Sequence, residues 1–191
     1  MKNLTKKITT LFALSIFTIS TAQNYKGEIV DLENKTSTVE IVFNASSFNV
    51  NRLINLQEKI TVVQNGTQVT YSPKNLKGFT IELEKETVKF ESVDESIFAQ
   101  TLYSNRIKLY KILRQISRGH IVRIYGIKKP NITKIAEMPA MGLSRLITKK
   151  EMLPAIEDCK ISYTKIENDE IKIKDELILV DFIKDYEKNC F

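Results

Sequence analysis

The sequence predicts an α+β fold: a mainly antiparallel β-sheet, shaped as a twisted sandwich or small barrel-like structure, followed by C-terminal helices. Three observations carry this. From Gln23 to about Lys128, short runs rich in Val, Ile, Thr, Phe and Tyr alternate apolar with polar residues between turn signals, the period of strands with one buried face. Asn65-Gly66 separates two such runs, and both residues tolerate the positive φ of a type I′ hairpin turn. Beyond Pro130 the period changes, and Leu179, Phe182, Ile183 and Tyr186 recur at the spacing of an amphipathic helix.

The chain opens on a segment to be set apart from the fold. Lys2, Lys6 and Lys7 form a positive region, Ile8 to Ile19 a short apolar one, and Ser20-Thr21-Ala22 a small-residue cleavage site. This is the pattern of a signal peptide over 1–22, cleaved after Ala22. The rival, a membrane anchor, needs roughly 20 apolar residues, and this run has about 12. Gln23 rather than a cysteine follows the cleavage point, which argues against a lipoprotein. Residues 23–191 then form a single β-rich domain with a helical segment from about 148 to 191, long enough for a real core. The leader carries three of the lysines and no acid, so the formal charge of +6 falls to +3 without it.

The strands expected in order are Tyr25 to Leu32, Thr38 to Phe43, Lys59 to Gln64, Thr67 to Tyr71, Gly78 to Leu83, Thr87 to Val93, Ile97 to Tyr103, Arg106 to Leu113 and Ile121 to Ile127. Ser104-Asn105 reads as a weaker turn, and Asn44 to Asn55 as a loop or an irregular strand. Thr148-Lys-Lys-Glu151 reads as a capping box, although Pro154 offers a second place for that helix to begin. Asp175 can cap the last helix, with Asp175 and Glu176 in its first turn and Lys184 and Lys188 near its last, as the helix dipole favours. A lipid-facing terminal strand is excluded by alternation: stepping back by twos from Phe191 gives Asn189, Glu187 and Asp185.

Cys159 and Cys190 are the only two cysteines. In an exported chain a disulfide between them is the default. It would tie the end of the terminal helix to the end of the short helix before it. Two thiols and one histidine cannot easily close a four-ligand zinc site.

Several stretches together resemble a group of uncharacterised exported β-rich proteins of Bacteroidota with a C-terminal paired-cysteine helical segment. They are the leader ending in Ala-Gln, Tyr25-Lys-Gly-Glu-Ile-Val30, Tyr71-Ser-Pro-Lys-Asn-Leu-Lys-Gly-Phe79, Ile107-Lys-Leu-Tyr110, Cys159, and Tyr186-Glu-Lys-Asn-Cys190. The resemblance spans most of the chain after the leader. It implies a role in the cell envelope and no catalytic residues.

The search for chemistry is mostly negative. His120 is the only histidine, and its neighbour Ser117 lies with it in a turn without an orienting acid. The six glycines form no phosphate-cradling loop. Glu82, Glu84 and Glu86 alternate along an edge, and Glu167-Asn-Asp-Glu170 is a polar turn rather than a calcium loop. No catalytic residue, cofactor, metal or nucleic-acid partner is expected.

One asymmetry stands out. Between Ser96 and Ala136 there is no acid, while Arg106, Lys108, Lys111, Arg114, Arg118, Arg123, Lys128, Lys129 and Lys134 are all basic. Alternation puts Arg106, Lys108 and Tyr110 on one face, and Arg123 with Tyr125 on another face of a neighbouring strand. These five and Lys128 are the candidate residues for binding an anionic surface. For an exported protein such a surface is supplied by lipid headgroups, lipopolysaccharide phosphates, acidic polysaccharides or an acidic partner. The competing account is that the cations face solvent and pair across the sheet with the acids of Glu82 to Glu91. The function expected is a non-enzymatic exported envelope protein, in the periplasm or at the cell surface, that binds an anionic surface or a partner. A periplasmic carrier of a lipid or other small hydrophobic ligand is the alternative, and a glycan hydrolase is a distant third.

Overall fold

The computed structural model describes residues 23–43, 50–83, 86–116, 120–140 and 144–191. The expected leader, Ser117, Arg118 and Glu84 lie outside them.

Among the described residues there are ten strands, of which the first nine follow the period-two runs closely and the tenth is not one of those expected. They are β1 (Gln23–Asp31), β2 (Thr36–Phe43), β3 (Ile60–Gln64), β4 (Thr67–Tyr71), β5 (Leu76–Glu82), β6 (Thr87–Val93), β7 (Ile97–Ser104), β8 (Lys108–Gln115), β9 (Ile121–Lys128) and β10 (Ala136–Pro139). All pairings are antiparallel, and the strands form one open sheet in the order β10-β9-β8-β7-β6-β5-β1-β2-β3-β4. Two meanders, β1 to β4 and β5 to β10, are joined where β1 pairs with β5. The Asn65-Gly66 hairpin is present, with positive φ at both residues and Gln64 opposite Thr67.

Topology makes the sheet coil. Four strand spacings of about 4.8 Å each separate β4 from β5 along the sheet. Yet a tight turn, closed by the Asn75 N–H on the Ser72 carbonyl at 2.9 Å, joins the end of β4 to the start of β5. Both conditions hold only if the β1 to β4 half curls round on itself, a barrel-like shape left unclosed. Close strand approach within the curl excludes a side chain at Gly27, whose Cβ would run into the Thr80 carbonyl oxygen. Inside it lie Ile29, Ile41, Val62, Ile81 and a cluster of Phe79, Phe90 and Phe98. Phe79 stacks on Phe90 with centroids 4.7 Å apart and meets Phe98 edge-on at 5.1 Å.

Of the segment Asn44 to Asn55, expected as a loop or an irregular strand, residues 44–49 lie outside the described residues, and the rest departs from that expectation. From Val50 it is helical, α1 (Val50–Glu58). Asparagine-rich sequence favours helix weakly, and tertiary contact supplies what propensity does not: Leu56 joins the core inside the curl and α1 packs on β3, β7 and β8.

The remaining elements form a helical layer on the same face of the sheet, over β8 to β10. They are α2 (Lys149–Met152), a 3₁₀ turn (Leu153–Ile156), α3 (Lys160–Glu167) and α4 (Glu176–Cys190). Helix α2 starts where the capping-box pattern places it, but Thr148 makes no side-chain capping bond, so the box itself is not formed. Pro154 instead sits in the first turn of the 3₁₀ segment. Asp175 does cap α4, its carboxylate accepting from the Ile178 N–H at 2.8 Å. The stripe Leu179, Phe182, Ile183 and Tyr186 is buried against Leu109, Tyr125, Ile127 and Met138. Cys159 and Cys190 are paired, with Cα atoms 5.8 Å apart. Because α3 begins just after Cys159, the bridge joins its start to the end of α4, while also following the 3₁₀ turn.

Candidate anion-binding cleft

Residues directly opposite one another in an antiparallel ladder share a face, so the register sorts the basic residues into two sets. Lys108 opposes Lys128 and Tyr110 opposes Gly126, on the face away from the helices. Lys111 opposes Tyr125 and Leu113 opposes Arg123, on the face the helices cover. Lys108, Tyr110 and Lys128 therefore lie on one side of the sheet, and Arg123 and Tyr125 on the other.

On the covered side the cations serve docking. Glu176, in the first turn of α4, takes Lys111 at 2.7 Å and the Tyr125 hydroxyl at 2.6 Å. Burial would raise its pKa, but Lys111, Tyr125 and the nearby charge of Arg123 lower it. Tyr125 is wholly buried, and burial together with Glu176 holds its hydroxyl protonated. Arg106 is exposed in the β7–β8 turn. Its neighbours Asn105 and Ile107 donate to Glu187 of α4, at 2.8 and 2.6 Å, beside the Tyr103 hydroxyl at 2.5 Å.

On the other side, Lys108, Tyr110 and Lys128 line a cleft of about 320 Å³ together with Lys77, Lys89 and Glu91. Glu91 accepts from Lys108 at 2.6 Å, from Lys89 at 2.9 Å and from the Tyr110 hydroxyl at 2.8 Å. Burial alone would raise its pKa, but these three donors bring it down to about 2. Burial and Glu91 in turn push the Tyr110 hydroxyl up. The carboxylate is thus an internal counter-ion held by three donors. Lys77 leans on the Asn34 side-chain oxygen at 2.6 Å, Asn34 having the positive φ of the β1–β2 turn. Among the described residues Lys128 has no acid partner, although it faces Lys108 across the ladder. The floor is backbone: Gly78 opposes Glu91, and a Cβ there would meet the Phe90 carbonyl oxygen.

A second cleft, about 1,050 Å³, lies by Val93, Ile97, Ile112 and Ile135. Its arginine is already spent, since Arg114 grips Glu137 through two nitrogens at 3.0 and 3.2 Å. His120 is exposed, and among the described residues no cluster of His, Cys, Asp or Glu has metal-binding geometry. Among those residues, too, no helix is long and apolar enough to cross a membrane.

Three of the six candidate residues, Lys108, Tyr110 and Lys128, therefore meet in one cleft, and Arg106, Arg123 and Tyr125 do not line it. Sequence reasoning did not single out Lys77, Lys89 and Glu91 as site residues. The expected pairing of the cations with the acids of Glu82 to Glu91 points to Glu91, and Lys108 does pair with it, while the alternation of Lys89 and Glu91 along β6 hints at Lys89, but neither says which strand lies opposite. Compared with family models, curated proteins and solved structures, the chain matches none.

Proposed function

We propose that this is a non-enzymatic exported protein of the cell envelope that binds an anionic envelope component through the cleft on the uncovered face of its sheet. The observation that carries the proposal is the charge imbalance there: four lysines, Lys77, Lys89, Lys108 and Lys128, against the single carboxylate of Glu91. Export is supported by the leader pattern over 1–22, and the Cys159–Cys190 pair is compatible with an oxidising compartment. The interior of the curl, filled by Phe79, Phe90 and Phe98, gives less support to a carried apolar ligand.

The test is co-sedimentation with vesicles of phosphatidylcholine alone or doped with phosphatidylglycerol, at low and high salt. Binding is expected only to the anionic vesicles, weakening steeply with salt as solvent-exposed charges are screened. Lys128→Glu should weaken it further. Failure at low salt to bind either anionic vesicles or a soluble anionic sugar would defeat the reading.

A further inference from the structure

We infer that the group this cleft takes is a phosphate bearing close to two negative charges, a terminal phosphomonoester, engaged by the two lysines that Glu91 leaves without an acid, Lys77 and Lys128. The inference rests on the anion-binding reading and narrows it to one ligand chemistry.

Charge is the first argument. With Glu91 held by Lys108 and Lys89, a ligand carboxylate would bring one further negative charge to a site that still carries an excess of three positive ones. A phosphomonoester brings about −1.5 to −2 at neutral pH. The ladder supplies the second argument. Lys108 and Lys128 are direct cross-strand partners, and like charges so placed repel. Glu91 relieves that repulsion on the Lys108 side only, and a bound dianion relieves it on the other.

Donor chemistry is the third. A guanidinium fork grips carboxylate and phosphate alike in a fixed plane, whereas an ammonium is a compact point charge that can meet a tetrahedral phosphate from any side. This chain uses Arg114 as a two-pronged grip on the Glu137 carboxylate, but every cation lining the cleft is a lysine. Size is the last. At about 320 Å³ the cleft stands near the lower end of small-molecule sites, about 300 to 1,000 Å³. It suits a phosphorylated monosaccharide or a headgroup better than a length of polymer.

The experiment is calorimetric titration of the full disulfide-bonded protein at low salt with glucose 1-phosphate and with glucuronate, which carries a carboxylate on the same kind of ring. Vesicles of phosphatidylcholine doped with phosphatidic acid or with phosphatidylglycerol are run in parallel. Glucose 1-phosphate or the phosphatidic acid vesicles should bind, and in preference to the glucuronate or phosphatidylglycerol counterpart. Lys77→Met and Lys128→Met should each weaken that binding by about tenfold, the scale of one charge-assisted hydrogen bond. Lys134→Met, an exposed lysine outside this cleft, should leave it unchanged.

Binding of glucose 1-phosphate without the vesicles assigns the phosphate to a soluble compound. Binding of phosphatidic acid vesicles alone assigns it to a lipid headgroup. Equal affinity for glucuronate and glucose 1-phosphate, wild-type binding by both lysine variants, or binding to phosphatidylglycerol vesicles with neither phosphomonoester preferred would overturn the phosphate assignment and leave the anionic-surface reading standing. No binding to any anionic vesicle or to either sugar would overturn both.

Discussion

Gln57 does by side chain what a strand does by backbone. The β7–β8 ladder ends at Gln100 opposite Lys111. Two residues further along β8, the Leu113 N–H donates to the Gln57 carbonyl oxygen and the Leu113 carbonyl accepts from the Gln57 amide, both at 2.7 Å. The carboxamide is the neutral group that can do both, and it is buried. Gln57→Ala would leave a buried donor and a buried acceptor unpaired, so it should cost about 2 to 4 kcal/mol of stability, read as a lower urea midpoint. Gln57→Glu should rescue the loss only where burial keeps its carboxyl protonated, because a carboxylate cannot donate to the Leu113 carbonyl, so its stability should fall as pH rises. Neither change touches the cleft residues, so anionic-vesicle binding by the folded variants should match wild type. A Gln57→Ala variant as stable as wild type would show that this contact contributes little.

At the scale of elements, what was legible in the sequence is what local pattern determines. Period-two runs placed β1 to β9, Asn65-Gly66 placed the hairpin, and Asp175 with its stripe placed α4, since each signal sits within a few residues of the structure it specifies. Three elements were not legible. The asparagine-rich α1, the Ser, Tyr and Thr-bearing α3 and the short β10 have weak local preference, and each is held by neighbours distant in sequence: α1 by the curl, α3 by α4 and the Cys159 bridge, β10 by β9. The site was half legible for the same reason. Alternation put Lys108 and Tyr110 on one face, but the approach of Lys77, Lys89 and Glu91 depends on strand order. The bridge itself can be tested as an element. Cys159 and Cys190 are 31 residues apart, and closing a loop of that length stabilises by about 3 to 4 kcal/mol in the chain-entropy model. The Cys159→Ser, Cys190→Ser double variant should lose roughly that much in urea unfolding. Its far-ultraviolet circular dichroism should stay native, because Glu176, Asp158 and Glu187 still fix the helical layer. Unchanged stability would mean that the pair is no staple.

Across the whole molecule, four of the nine cations between Ser96 and Ala136 are matched by acids of the fold: Lys108, Lys111, Arg114 and Lys129 form ion pairs with Glu91, Glu176, Glu137 and Asp158. The same economy governs the tyrosines. Tyr103, Tyr110, Tyr125 and Tyr186 donate to Glu187, Glu91, Glu176 and Asp158. Two of these bonds hold the helical layer to the sheet, one knits the layer together beside Lys129, and one organises the cleft. Each pair links two titrations of opposite sense. The four carboxyls have lowered pKa values, Glu91 from 4.5 to about 2. The stability they supply is therefore complete above their unfolded values and is lost as pH falls through that window. The four hydroxyls have raised values. Their contribution is complete below the ordinary tyrosine value of about 10 and is lost as pH rises through the raised ones. Stability should then show a plateau from about pH 5 to 9, falling on both sides. Phenolate absorbance near 295 nm should rise in two phases, the later one carrying these four tyrosines and coinciding with loss of circular dichroism. A single phase near pH 10 with the fold intact would show that the tyrosine–carboxylate pairs do not hold in solution.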